Sequence, residues 1–290
     1  MKEIVIISGK GGTGKTSVTA ALACVSRSRI MADCDVDAAD LHLILQPRIL
    51  SREDFYGGVK AVIDPAACVN CGQCGVICRF GAISHPNGNY EVDPLDCEGC
   101  GYCQQICPAG AISLPQQKVG QCYISDTRLD CRLVHAKLDI GADNSGKLVA
   151  KVKRDARQTA EDGQLDWVLV DGSPGIGCPV ISSLSGADFV ILVTEPSLSG
   201  LHDLERVWSL TRNFGIPGGC VINKADLNPG VSALIGGFLA RENIALIDHI
   251  PYDEDFTRAM TQGISLVEYD PQKWQPRFAR IWSHITKELT

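Results

Sequence analysis

Gly9-Lys10-Gly11-Gly12-Thr13-Gly14-Lys15-Thr16 follows directly on an unbroken apolar run, Ile4-Val5-Ile6-Ile7, and leads into Ala20-Ala21-Leu22-Ala23. An apolar run without alternation predicts a central parallel strand covered on both faces, and the alanine-rich stretch predicts a helix packed on that sheet. Strand, glycine loop and helix in this order form the setting in which G-x-x-x-x-G-K-S/T cradles phosphate. The glycines let backbone N–H groups close around the phosphates. Lys15 supplies a fixed positive charge, the helix N-terminus adds its dipole, and Thr16 is placed to ligate Mg²⁺. Residues Gly9, Lys10, Gly11, Gly12, Thr13, Gly14, Lys15, Thr16 and Ser17 are the candidate nucleotide contacts. An incidental glycine turn is the bland alternative, and the flanking strand and helix argue against it.

Lys10, just after the first glycine, makes the loop resemble the deviant Walker A motif, K-G-G-x-G-K-T/S, of the MinD, ParA, Mrp and nitrogenase iron protein group. The resemblance implies an α/β fold, a mostly parallel, doubly wound P-loop NTPase of the deviant Walker A class, and an ATP-dependent sandwich dimer. In such a dimer Lys10 acts in trans on the partner's nucleotide, neutralising charge in the transition state. Other segments match the same group. Residues 30–34 read as a short strand that runs into Asp33-Cys34-Asp35-Val36-Asp37, resembling its switch I, with Asp35 orienting the attacking water or holding Mg²⁺ through water and Asp37 as the weaker candidate. Trp167-Val168-Leu169-Val170-Asp171 reads as a buried strand ending in the Walker B acid, with Gly172-Ser173-Pro174-Gly175 as switch II. Lys10, Lys15, Asp35 and Asp171 are thus the implied catalytic set. Asn223, Lys224 and Asp226 form N-K-x-D after another apolar strand, resembling a base-recognition motif, and the Pro251-Tyr252 turn is placed to line the base. The loop points to ATP; N-K-x-D alone would also suit GTP.

Fourteen cysteines in 290 residues exceed ordinary intracellular use, and their placement favours metal over disulfides. Cys68, Cys71, Cys74 and Cys78 form C-x-x-C-x-x-C-x-x-x-C, and Cys97, Cys100, Cys103 and Cys107 repeat it 29 positions later. Gly81-Ala82-Ile83-Ser84 recurs as Gly110-Ala111-Ile112-Ser113, so the segment is an internal duplication. Zinc knuckles use C-x-x-C pairs, but this series of spacings resembles bacterial two-cluster ferredoxins. That resemblance implies a small α+β ferredoxin-like domain with one [4Fe-4S] cluster on Cys68, Cys71, Cys74 and Cys107, and another on Cys97, Cys100, Cys103 and Cys78. The family's proline after the fourth cysteine is present as Pro108, but Arg79 takes its place after Cys78, bringing a positive charge toward one cluster. Residues 61–116 carry five acidic side chains against one basic one, which suits a redox partner with a basic face.

The expected organisation is a first ATPase part at residues 1–60, the inserted two-cluster domain at 61–116, and the second ATPase part at 117–290. Insertion into a surface loop leaves such a core continuous. With 45% hydrophobic residues, a net charge of −7 and no basic block, the chain reads as a cytoplasmic protein that binds neither nucleic acid nor a membrane. Its partners are expected to be a second copy or a paralogous ATPase, and a redox partner or metallocofactor client. Three functions compete: ATP-gated electron transfer, cluster or cofactor assembly and carriage, and cell positioning. Among the remaining cysteines, Cys24, Cys34 and Cys220 read as small hydrophobes. Cys178 follows Asp171 at the interval of a bridging-cluster ligand in the nitrogenase iron protein, with a packed loop cysteine as the favoured alternative. Asn144-Ser145-Gly146-Lys147 reads as a switch-adjacent loop or turn. Trp274, Phe278, Ile281, Trp282, Ile285 and Leu289 recur at helical spacing, as a docked closing helix in preference to a membrane-binding one.

Overall fold

The computed structural model describes residues 1–36, 39–139 and 145–289; Asp37 and Asn144, named above, lie outside them. The chain divides into two compact units. The first comprises Met1–Glu53, Gln121–Lys137 and the chain from Ser145 onward; the second comprises Asp54–Gly120 and a return segment beginning at Leu138.

The described strands of the main sheet run, edge to edge, Ala245–Ile250, Gly218–Asn223, Phe189–Thr194, Lys2–Ile7, Trp167–Asp171, Arg29–Asp33, Arg132–Leu138, Gln116–Asp126 and Arg48–Val59. Every pairing from Ala245–Ile250 through Arg132–Leu138 is parallel, so the apolar runs are central strands, as their lack of alternation requires. Ile4, Ile6, Met31, Leu169 and Ile191 are wholly buried with Leu22 of the helix Lys15–Val25. The register sets Asp171 beside Ile6 on one side and Asp33 on the other, bringing two carboxylates together at the carboxyl ends of neighbouring strands.

Ser145–Asp162 is one helix, correcting the loop expected around Lys147. Its buried Leu148, Val149, Val152, Ala156 and Ala160 lie at helical intervals, a stripe hidden by the polar, glycine-containing start. The helix is fastened by Glu3, only 2% exposed, which pairs with Lys153 at 2.7 Å and Arg157 at 2.6 Å. The closing helix Pro271–Glu288 buries Trp274, Phe278, Ile281 and Ile285 against the core, with Trp282 edge-on to Trp167. That stripe is therefore a docked face, buried in the core of the chain. No described helix is long and apolar enough to cross a membrane.

At the hairpin of Gln116–Asp126 and Arg132–Leu138, His135 stacks on Tyr123 and shares a 3.0 Å hydrogen bond with the buried Ser125. Burial, helped by His42, pushes its imidazole down from 6.5 to about 4. The unfolded chain therefore takes up a proton that the folded chain refuses. Stability falls as pH drops below 6.5 and the loss is complete near 4. Urea titrations across this window are expected to show the loss in the parent protein and a smaller one in His135→Gln; equal slopes would exclude His135 as its source.

The second unit contains two short antiparallel pairs, Val62–Ile63 with Ile112–Ser113 and Ile83–Ser84 with Glu91–Val92, and two five-residue helices. The helices, Gln73–Ile77 and Tyr102–Ile106, are built alike. Each starts from a left-handed glycine, Gly72 at φ 76° and Gly101 at φ 79°, and ends on an extended cysteine, Cys78 and Cys107. The sequence repeat is thus also a repeat of backbone conformation. The core is small: Ala61, Ala82 and Ile112 are buried together with Cys74, Cys97 and Cys103. A unit this size with so little apolar interior needs a staple of another kind.

Candidate functional site

The carboxyl ends of the central strands open on a cavity of about 580 Å³. Gly11, Gly12, Gly14, Lys15, Thr16, Ser17, Asp35, Asn223 and Lys224 line it, as does Tyr252. The helix Asp255–Thr261 completes it through Phe256, Thr257, Met260 and Thr261, none of which the sequence motifs single out. The loop has no room to vary at two glycines. A Cβ at Gly14, where φ is 92°, would sit 2.4 Å from Nδ2 of Asn223, and one at Gly9 would sit 2.5 Å from Cβ of Asp203.

Behind the loop lies a buried charge cluster. Asp171 Oδ1 accepts hydrogen bonds from Lys15 Nζ at 2.8 Å and Thr19 Oγ1 at 2.9 Å, and its Oδ2 accepts one from Thr16 Oγ1 at 2.8 Å. Asp35 stands 3.5 Å from Lys15 Nζ. Burial works against the Lys15 ammonium, but Asp171, Asp35 and Asp33 outweigh it and hold its pKa above the ordinary value. Asp33, absent from the sequence-derived set, is buried beside them. Its Oδ1 accepts the Asp35 N–H at 3.1 Å and its Oδ2 has no partner among the described residues. Burial first, and the Asp171 charge next, raise the Asp33 carboxyl well above the usual range. The set of one threonine hydroxyl and nearby carboxylates consists of hard oxygen donors, the chemistry that suits Mg²⁺. Ser173 Oγ donates to the Cys34 carbonyl at 2.6 Å, tying the two loops that flank the cluster.

The other candidates stand apart from the cavity wall. Thr13 is buried and its carbonyl accepts from Asn223 Nδ2 at 2.8 Å, so Asn223 holds the loop as well as lining the cavity. Asp226 accepts the Tyr252 N–H at 2.5 Å, fixing the turn in which Tyr252, and not Pro251, reaches the cavity. Lys10 is bound within its own chain, at 2.7 Å from Glu195 and at 3.1 Å from both Ser197 Oγ and Ser199 Oγ. Glu195 also binds Lys224 at 2.8 Å, and no motif announces it beyond its place just after the strand Phe189–Thr194. Burial alone would raise the Glu195 carboxyl; hydrogen bonds from Lys10 and Lys224 overcome this and hold it below the ordinary value.

In the second unit the cysteines line two hollows. Cys97, Cys100 and Cys103 share one, of about 440 Å³, with Cys78, Arg79 and Glu98. Cys68, Cys71 and Cys74 share the other, of about 10 Å³, with Cys107 and Pro108. Each hollow thus takes three cysteines from one half of the repeat and the fourth from the other. Backbone amides point at two of the sulfurs, Ala61 N–H to Cys97 Sγ at 3.5 Å and Ala111 N–H to Cys107 Sγ at 3.4 Å. Among the described residues no three His, Cys, Asp or Glu side chains gather closely enough to hold a single metal ion. Outside this unit, Cys34 and Cys220 are fully buried as small hydrophobes, and burial pushes both thiols far up. Cys178 opens the helix Cys178–Leu184 and is exposed, which corrects the packed position favoured for it.

Residues 4–267 match the CobQ/CobB/MinD/ParA nucleotide binding domain. The chain belongs to that family. An uncharacterized protein of Methanocaldococcus jannaschii is 34% identical over 78% of this chain and 79% of its own, and a second from the same organism is 25% identical over 93% and 94%. MinD of Pyrococcus horikoshii, solved with Mg-ADP, superposes with a TM-score of 0.60 at 20% identity over 99% of this chain and 97% of that one. The first unit is accordingly a MinD/ParA-type P-loop fold, and the glycine loop and the N-K-x-D turn meet at the cavity at the carboxyl ends of its strands.

Proposed function

We propose that the protein is an ATPase whose nucleotide state controls electron transfer through two [4Fe-4S] clusters held by an inserted ferredoxin-like domain at residues 61–116, between ATPase parts at 1–60 and 117–290. The observation that carries the reading is the crossed composition of the two hollows, three cysteines from one half and one from the other. Four thiols per hollow are the donor set of such a cluster, and because each iron takes one thiolate, the sulfurs need not converge on a point as they do around one zinc ion. The wider hollow has the room. At the narrow one the thiols must part to admit a cluster. When bound, the clusters supply one-electron carriers.

The chain's own residues account for the rest. Gly11, Gly12 and Gly14 present backbone N–H groups to phosphate, and Lys15 offsets its charge. Thr16 holds Mg²⁺ with help from Asp35 and Asp171, and Asp35 orients the attacking water. Lys10 acts across a dimer, on a second copy or a paralogue. Asn223, Lys224, Asp226 and the Pro251-Tyr252 turn shape the base end, with ATP as the nucleotide. Departure of the γ-phosphate changes what the Ser173 and Cys34 loops hold, which is how hydrolysis reaches a distant surface.

Anaerobically purified protein tests this. Cluster reoxidation by an electron acceptor, followed with Mg-ATP, Mg-ADP and a non-hydrolysable analogue, is expected to differ between ATP and ADP by about tenfold or more. Equal rates in all three would overturn gating, and transfer of iron to an apo-protein would favour the carrier function.

A further inference from the structure

We propose that the wide hollow of the second unit is the docking face for an electron-carrying protein that presents an apolar patch inside a basic ring, and that the narrow hollow takes no part in docking. This rests on the two hollows holding clusters. Each hollow has an exposed thiol, Cys100 in the wide one and Cys71 in the narrow one, so access to sulfur does not tell them apart. Their mouths do. Ile77, Phe80 and Tyr102 line the wide hollow and are 37%, 47% and 51% exposed, and Arg79 and Glu98 line it with them. The lining of the narrow hollow includes no charged side chain, and Val69 is its one exposed large apolar residue.

An apolar patch with two aromatic rings and an arginine, left open to water, has the composition of an interface core and not of ordinary surface. The patch is small. That suits electron transfer, where partners meet over less area than in a lasting complex and part again quickly. Charge then selects the partner. Residues 61–116 carry five acidic side chains and one basic one, and among the described residues none of the six has an ion-pair partner. A segment with this uncompensated excess attracts a basic surface and repels an acidic one, a second copy of itself included. A carrier of opposite charge is therefore favoured over self-association. Arg79, the single cation, follows directly on the ligand position Cys78 and lines the hollow itself, so the excess left over for a partner is acidic.

The test uses ferricytochrome c, a small redox protein whose haem edge is ringed by lysines, as the probe, and the full chain purified anaerobically with its iron counted. Two quantities are measured. The first is the affinity of the oxidised chain for the probe, by calorimetry at low salt. The second is the rate at which the reduced chain passes one electron to the probe, taking its haem iron from ferric to ferrous; dithionite supplies that electron beforehand and is removed before mixing. Phe80→Ala and Tyr102→Ala are each expected to weaken binding and slow transfer about five- to tenfold with iron content unchanged, and Val69→Ala to leave both within about twofold. Glu98→Lys, which has no ion pair to lose, is expected to slow association about tenfold at low salt and to match the parent at about 1 M salt, where charges are screened within about 3 Å. Weakening by Val69→Ala and not by Phe80→Ala or Tyr102→Ala overturns the proposal, as does a parent chain without saturable binding. Self-association of the parent that Phe80→Ala abolishes makes the face a contact between copies and overturns it as well. A chain without iron overturns the cluster reading itself, whereas about eight irons with no effect of these variants leaves that reading standing and removes only the docking face.

Discussion

Replacing Asp171 with asparagine is expected to lower Mg-ATP turnover by about a hundredfold or more while leaving the protein folded. The carboxylate is wholly buried and serves three neighbours at once, Lys15, Thr16 and Thr19. Asparagine fits the space but offers one oxygen in place of two, and turns an N–H₂ toward groups that are themselves donors. Thr16 then loses the acceptor that orients it toward Mg²⁺. Removing one member of a buried ion pair ordinarily costs about 3–5 kcal/mol of stability. Here the cost falls below that range, because Asp33 and Asp35 stay beside Lys15. Asp33, freed of the Asp171 charge that helps hold its carboxyl up, ionises more readily and takes over part of the pairing. Steady-state phosphate release, with thermal melting as the control for folding, checks both halves. Turnover within about threefold of the parent would remove Asp171 from the proposed mechanism.

The second large effect concerns the cysteines. Cys78→Ser combined with Cys100→Ser removes two ligands from one hollow and is expected to leave one intact four-iron cluster, about four irons per chain in place of about eight. Cys71→Ser combined with Cys78→Ser removes the same number of thiols from one half of the repeat, but takes one from each hollow. That variant is expected to show no intact four-iron cluster. Iron analysis together with the electron paramagnetic resonance of the reduced protein separates the two. Were the same-half pair to retain one cluster and the same-hollow pair none, each half would hold its own and the crossed arrangement would be wrong.

What was readable in the sequence follows the range of the interactions. Residues 4–23 declare themselves because strand, loop and helix are contiguous and the loop's chemistry depends on glycines at fixed offsets. The closing helix was also legible, since Trp274, Phe278, Ile281 and Ile285 keep one face over several turns. Glu195 was not: it meets Lys10 across nearly two hundred positions, and nothing local distinguishes it from any carboxylate after a strand. Asp33 stood in view beside Asp35, but its burial against Asp171 emerges only from the strand register. The helix Ser145–Asp162 was obscured by its first residues, although its apolar stripe lay a few positions further on. Free cysteines usually pack as small hydrophobes, and for Cys178 that general tendency misleads, because the backbone sets it at an exposed helix start.

The doubled cysteine unit also bears on how the chain can change over time. Two copies of a short segment usually drift apart, since either can decay while the other keeps the task. Here each hollow draws its wall from both copies, so damage to one copy is felt in both hollows. Natural relatives are accordingly expected to carry both halves or neither, and a chain reduced to a single half would have no complete hollow from which to start again.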